Sequence, residues 1–179
     1  MNTMHLLIAG FGGQGVLFAG KFIAYMGMIE GREVSWLPSY GPEMRGGTAN
    51  CSVILSDTPV GSPIVAEPDC LVAMNLPSFQ KYQNSVRPGG VILYDSTLIA
   101  ETPARADIRA FAVPATQLAA EAELEGFSNM VLMGKFFKEC MGASRELIEA
   151  ALKKTVPAKK ADLTDLNRRA LALGREYEG

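Results

Sequence analysis

The chain has 179 residues, 48% of them hydrophobic, with 17 Lys and Arg against 19 Asp and Glu. That length suffices for one hydrophobic core, the apolar share excludes intrinsic disorder for the bulk of the chain, and a net charge of −2 lacks the positive field that nucleic-acid binding needs. Cys51, Cys70 and Cys140 are odd in number and far apart, the usage of reduced thiols in a cytoplasmic protein.

The first twenty residues hold no Lys, Arg, Asp or Glu, yet they lack the basic start of a signal peptide and are broken by Gly10, Gly12, Gly13 and Gly15. No run of about 18 apolar residues occurs, so no membrane span is expected. Met4–Ala9 is a nearly continuous apolar run ending in glycines, which predicts a strand buried on both faces. Val16–Met28 follows as an amphipathic helix with Leu17, Phe18, Ile23, Ala24 and Met28 on its apolar face. Glu33–Leu37 reads as a strand stopped by Pro38, parallel to the first and completing a βαβ unit, with a loop from Ser39 to Gly47. Thr48–Leu55 alternates as a half-buried strand would.

Cys70–Met74 and Gly90–Tyr94 are further buried strands, joined through a short helix within 77–86, and Ile108–Val113 is a sixth. Ala115–Leu124, Met130–Cys140 and Glu146–Lys154 read as helices, with Asn129 and Ser144 available as N-caps. Beyond Pro157, residues Leu163, Leu166, Ala170, Leu173 and Tyr177 form one narrow apolar stripe. The segment from Lys153 onward carries +3 on a chain whose remainder is −5, either a solvated helix face or a docking surface.

Gly10-Phe11-Gly12-Gly13-Gln14-Gly15 is a G-x-G-x-x-G turn between a strand and a helix. Its backbone amides and helix end suit an anion, and the same glycines equally serve a tight turn with close helix–sheet packing. A dinucleotide site needs an acid at the carboxyl end of the second strand. Glu30 and Glu33 stand at its other end, which argues against a nicotinamide dehydrogenase. Arg45 pairs either with an anion or with Glu43. With one histidine, His5, inside a predicted strand, no Ser-His or Cys-His nucleophile pair can be assembled. The fold class expected is a Rossmann-like three-layer α/β domain, its sheet mixed, largely parallel and short enough in several strands to curl, with helices on both faces.

Ile8–Val16, followed by Tyr40-Gly41-Pro42-Glu43-Met44-Arg45-Gly46-Gly47, resembles the gamma subunit of 2-oxoacid:ferredoxin oxidoreductases, as does Asn129-Met130-Val131-Leu132-Met133-Gly134. The resemblance covers Met4 to about Leu152 and implies one gamma-type domain over 1–179, with 158–179 a C-terminal helix. It implies CoA-dependent oxidative decarboxylation of a 2-oxoacid to an acyl-CoA and CO2, with ferredoxin as electron acceptor. Thiamine diphosphate, Mg and Fe-S clusters would belong to alpha, beta and delta chains, this chain holding none, and ferredoxin would reach it only through the complex. By the same resemblance, Gly10, Gly12, Gly13, Gln14 and Gly15 shape a cofactor-side loop near the coenzyme A path. Tyr40, Glu43, Arg45, Gly46, Gly47 and Asn129 fall to subunit contacts, with a gamma–gamma dimer also compatible. Two alternatives stay open: an independent nucleotide-binding protein of adenylate-forming type, and a free-standing scaffolding homodimer.

Overall fold

The computed structural model describes residues 3–40 and 48–179. Six strands, β1 (Met4–Phe11), β2 (Glu33–Tyr40), β3 (Thr48–Ser56), β4 (Cys70–Ala73), β5 (Val91–Asp95) and β6 (Arg109–Val113), form one open sheet in the order β2-β3-β1-β4-β5-β6. β1, β4, β5 and β6 pair in parallel, and β3 is antiparallel to both neighbours. β2 therefore runs in the direction of β1 but is not its neighbour, which corrects the expected adjacency. β3 occupies the place between them, pairing Leu6 with Val53 on one side and Val53 with Trp36 on the other.

The continuous apolar runs behave as read: β4 and β5 are buried throughout, as strands covered on both faces must be. β3 departs from its alternation, because Ser52 and Ile54 are buried as well as Cys51, Val53 and Leu55. β2 continues through Pro38 to Tyr40, and its position at the sheet edge tolerates a residue without an amide donor.

One face of the sheet carries α1 (Val16–Ile29), α4 (Ser128–Phe136), α5 (Arg145–Thr155) and α6 (Asp162–Glu176), with α3 (Ala115–Glu121) alongside. The other face carries the shorter α2 (Leu76–Tyr82), whose Phe79 packs with Leu7, Leu71, Ile92 and Tyr94. α1 is wedged between the sheet and α5, so its buried face is broader than the stripe expected, taking in Ala19, Gly20, Phe22, Met26 and Gly27. Met28, assigned to that stripe, is exposed.

α4 is buried on all sides from Asn129 to Phe136, as a helix between a sheet and an outer helix must be. It ends in a π-turn, Phe137–Met141, closed by the Gly142 amide donating to the Phe137 carbonyl at 2.8 Å. α6 occupies 162–176 of the expected 158–179, after a 3₁₀ turn at Ala158–Lys160. Its inner face is centred on Asn167, Ala170, Leu171 and Gly174, so the narrow leucine stripe is only its border. A Cβ at Gly174 would strike the Val131 carbonyl and one at Gly134 the Leu171 carbonyl, so these helices meet backbone to backbone.

Candidate functional site

The chain leaves β1 for a helix on one face and β4 for a helix on the other, so the carboxyl ends of these two adjacent strands bound a switch-point crevice. Ligands of open α/β sheets gather at such a place. The glycine turn overhangs it. Gly13 (φ 93°) and Gly15 (φ 75°) occupy the left-handed region, which reverses the chain within four residues and starts α1. The leading amides of α1 have no intrahelical acceptor, leaving the positive end of a fourteen-residue helix at the crevice.

Gln14 turns inward and closes the gap. Its Oε1 accepts from the Phe11 amide at 2.6 Å, and its Nε2 donates to the Met74 carbonyl at 3.0 Å, strapping β1 to β4. A Cβ at Gly10 would collide with both Gln14 and Met74, so that glycine exists for this strap. Gly15 serves a second lock. Asn129 Nδ2 donates to the Gly15 carbonyl at 3.2 Å, and a Cβ at Gly15 would occupy the Asn129 amide position. Asn129 is thus no N-cap: α4 begins one residue earlier, behind Phe127, and the asparagine spends its amide across the fold. Ser144 does cap its helix, accepting from the Leu147 amide at 3.1 Å.

Two polar residues at this edge escaped the sequence reading. Asn75, just after β4, caps α2 by accepting from the Ser78 amide at 2.8 Å. Its signal was legible, an asparagine two residues before a proline at a helix start. Asn75 Nδ2, Ser78 Oγ and Asn129 Oδ1 are buried without a hydrogen-bond partner among the described residues. Asp95 at the end of β5 is occupied structurally, accepting from the Thr97 amide and from the Thr116 amide and hydroxyl.

Outside the strap, Phe11, Gly12, Gly13, Gly15, Val16, Leu17, Phe18 and Ala49 line a shallow, mainly apolar depression of about 460 Å³. Gly12 and Gly13 face it, and a Cβ on Gly13 would meet nothing within 4 Å. Glu43, Arg45, Gly46 and Gly47, and the side chain of Tyr40, lie outside the described residues. Glu30 ends α1 and Glu33 begins β2, both at the amino edge, which removes the ribose-binding acid a dinucleotide site requires. His5 sits at that edge too, half-exposed, its ring 3.3 Å from Asp69, whose carboxylate also accepts the His5 amide.

Among the described residues no group of three His, Cys, Asp or Glu side chains is placed to hold a metal, and no helix is long and apolar enough to cross a membrane. What the carboxyl edge offers outside the strap is backbone amides and apolar surface.

The sequence profile of the family described as pyruvate ferredoxin/flavodoxin oxidoreductase matches residues 5–177. Ketoisovalerate oxidoreductase subunit VorA of Methanothermobacter thermautotrophicus is 43% identical over 171 residues, 95% of this chain and 35% of that one. The chain thus spans about a third of the length of such curated relatives. 2-Oxoglutarate synthase subunit KorC of Methanocaldococcus jannaschii is 31% identical over 174 residues, 96% of this chain and 90% of KorC. Among solved structures, the keto/oxoacid ferredoxin oxidoreductase gamma subunit of Geobacter sulfurreducens superposes with a TM-score of 0.81 at 29% identity, covering 97% of this chain and 96% of that one.

Proposed function

The chain belongs to the pyruvate ferredoxin/flavodoxin oxidoreductase family, and from that membership we propose that it is the gamma-type subunit of a multisubunit 2-oxoacid:ferredoxin oxidoreductase. The assembly oxidatively decarboxylates a 2-oxoacid with coenzyme A, yielding acyl-CoA and CO2 and reducing ferredoxin. Thiamine diphosphate supplies the electron sink for that reaction, with Mg, and Fe-S clusters carry single electrons. These groups belong to the alpha, beta and delta chains, the complex is cytoplasmic, and this chain contributes shape and contact surface.

The observation that carries this reading is the family match over residues 5–177, and the Gln14 strap agrees with it. A free-standing nucleotide-binding protein keeps its switch-point crevice open for ligand, whereas here the chain fills it with its own side chain. What stays outward is the Gly12–Gly13 backbone beside Phe11, Leu17 and Phe18, a surface suited to another chain or to the arm of a coenzyme passing it. Asn129 acts through Gly15, holding that turn at one height above the sheet. Gly12 and Gly13 are the cofactor-side residues, and Tyr40, Glu43, Arg45, Gly46 and Gly47 the subunit-contact loop.

Anaerobic affinity purification of the chain from its host tests the reading. Co-elution of a thiamine-binding chain, with CoA-dependent reduction of viologen by a 2-oxoacid, is expected. A solitary chain that binds a nucleotide by calorimetry would overturn it in favour of the adenylate-type protein. Arg45→Glu is expected to lower the yield of copurified partners, and full yield would remove Arg45 from the interface.

A further inference from the structure

At the amino edge of the sheet, opposite the glycine turn, the chain's one histidine is held in a fixed pose. Asp69, the residue before β4, accepts the His5 amide at 2.6 Å through Oδ2, and the same oxygen lies 3.3 Å from Nδ1 of the ring. Its Oδ1 is 2.6 Å from the Arg87 guanidinium, and the Asp69 amide donates back to the His5 carbonyl at 2.8 Å. The carboxylate is thus already ion-paired when it meets the imidazole. Because it can only accept, it keeps the proton of the ring on Nδ1 and leaves Nε2, which has no partner among the described residues, to face outward.

The ring lines a depression of about 360 Å³ on the side of the sheet that α2 covers further along, since His5 shares its face with Leu7 and pairs with Ile54 of β3. Residues 57–69, which join β3 to β4 without helix or strand, supply the other wall. An ordered connection of that length is uncommon unless it serves a site. Four hydroxyls, those of Thr3, Ser56, Thr58 and Ser62, line the depression with His5, and no Asp or Glu does among the described residues. We propose that this depression binds a small oxyanion, a carboxylate or phosphoester group, which His5 takes up together with a proton.

Counting protons shows what the site can donate. Thr3 and Ser56 hydroxyls are 2.9 Å apart and those of Ser56 and Thr58 3.3 Å, so two links consume two of three hydroxyl protons and one is left over. Ser56 also accepts the Thr58 amide, which holds the row in place. Ser62 accepts the Ile64 amide at 3.3 Å and keeps its own proton to donate. With a proton on Nε2 the imidazolium is a third donor, and a charged one. The charge balance agrees: His5 and Arg87 are then two cations against the one carboxylate of Asp69, while the nearby Asp57 lies 3.4 Å from Arg32. An anion facing His5 therefore meets donors and net positive charge. The site is at the opposite edge of the sheet from the glycine turn and does not depend on the subunit role proposed above.

A single histidine makes the test direct, because the full chain labelled with carbon-13 at histidine Cε1 gives one ring signal by NMR. Titration with sodium sulfate, whose charge is constant near neutral pH, is expected to shift that signal to saturation. A drift that never saturates, matching that of free imidazole in the same salt, would overturn the proposal without any variant having to fold. Acetate and glycerol phosphate follow as separate arms, and the one that saturates the shift at the lower concentration names the source of the oxyanion. Calorimetry of sulfate binding in buffers of different ionisation enthalpy is expected to show proton uptake that His5→Gln abolishes; binding without proton uptake in the wild type would also overturn it. Ser62→Ala, on the exposed loop, is expected to weaken sulfate about tenfold through one lost charge-assisted hydrogen bond. Unchanged affinity in both Ser62→Ala and Thr58→Ala would end the idea.

Discussion

The two faces of the sheet reach their density in opposite ways. On the α1, α4 and α6 face, helices approach through missing side chains: Gly134 and Gly174 let two backbones touch, Gly15 admits Asn129, and Gly20 and Gly27 admit Cys51 and Leu55 of β3. On the α2 face a pair of aromatic rings fills the space, with Phe79 fully buried and its ring 5.2 Å from that of Tyr94. The first face is thus damaged by atoms added at its glycines, and the second by atoms removed at Phe79. It follows that the face carrying the glycine turn holds its parts by backbone contact and allows the turn little freedom of height.

The largest expected effect tests the second face. Phe79→Ala should cost about 4 kcal/mol in urea unfolding, the range for emptying a buried aromatic site. A loss below about 2 kcal/mol would mean that α2 collapses into the space and that the faces differ less than stated. Next comes Gly174→Ala, where one methyl placed against the Val131 carbonyl should cost about 3 kcal/mol, because backbone rather than a side-chain tip must move. Gln14→Ala, between the two faces, should cost about 2 kcal/mol by leaving the Phe11 amide and the Met74 carbonyl without their partner. It should also open the crevice, so a nucleotide affinity gained by this variant and absent from the wild type would sharpen the role of the strap.

What could be read in the sequence follows the range of the interaction. The continuous apolar runs of β1, β4 and β5 and the glycine turn are local patterns, and the structure repeats them. Strand order is not local. β3 enters between β1 and β2 because its Cys51, Val53 and Leu55 pack under α1 while Ser52 and Ile54 are buried on the reverse face, a second burial that alternation does not announce. At the site, Gly13 was legible as a turn residue. The strap of Gln14 onto Met74, sixty residues away, and the lock of Asn129 onto Gly15, at a separation of 114, were not. Asn129 shows the physical reason. Its Nδ2 donates across the fold to the Gly15 carbonyl, which also accepts the Ala19 amide, and α4 starts one residue before it, so the position is inside the helix rather than at its cap; neither fact is local to the Asn129 sequence.

The smallest effect separates this tightly packed face from its solvent rim, where α5 and α6 are joined by Glu149 and Arg168. The guanidinium donates to both carboxylate oxygens, from Nε and, at 2.8 Å, from Nη2, and also to Asp165 at 2.9 Å. The Arg168 hydrogen bond holds the Glu149 carboxyl below its ordinary value of 4.5, and Arg168 is raised in turn. A depressed folded pKa gives stability that is present above the unfolded value and lost as the pH falls through the folded one. Glu149→Gln should therefore cost no more than about 1 kcal/mol at pH 7, since both partners are partly solvated, and the difference from wild type should shrink steadily below pH 4.5. A difference that stayed constant down to pH 3 would mean that Glu149 contributes packing rather than charge, and would extend to the rim the dependence on atom count that distinguishes the two faces.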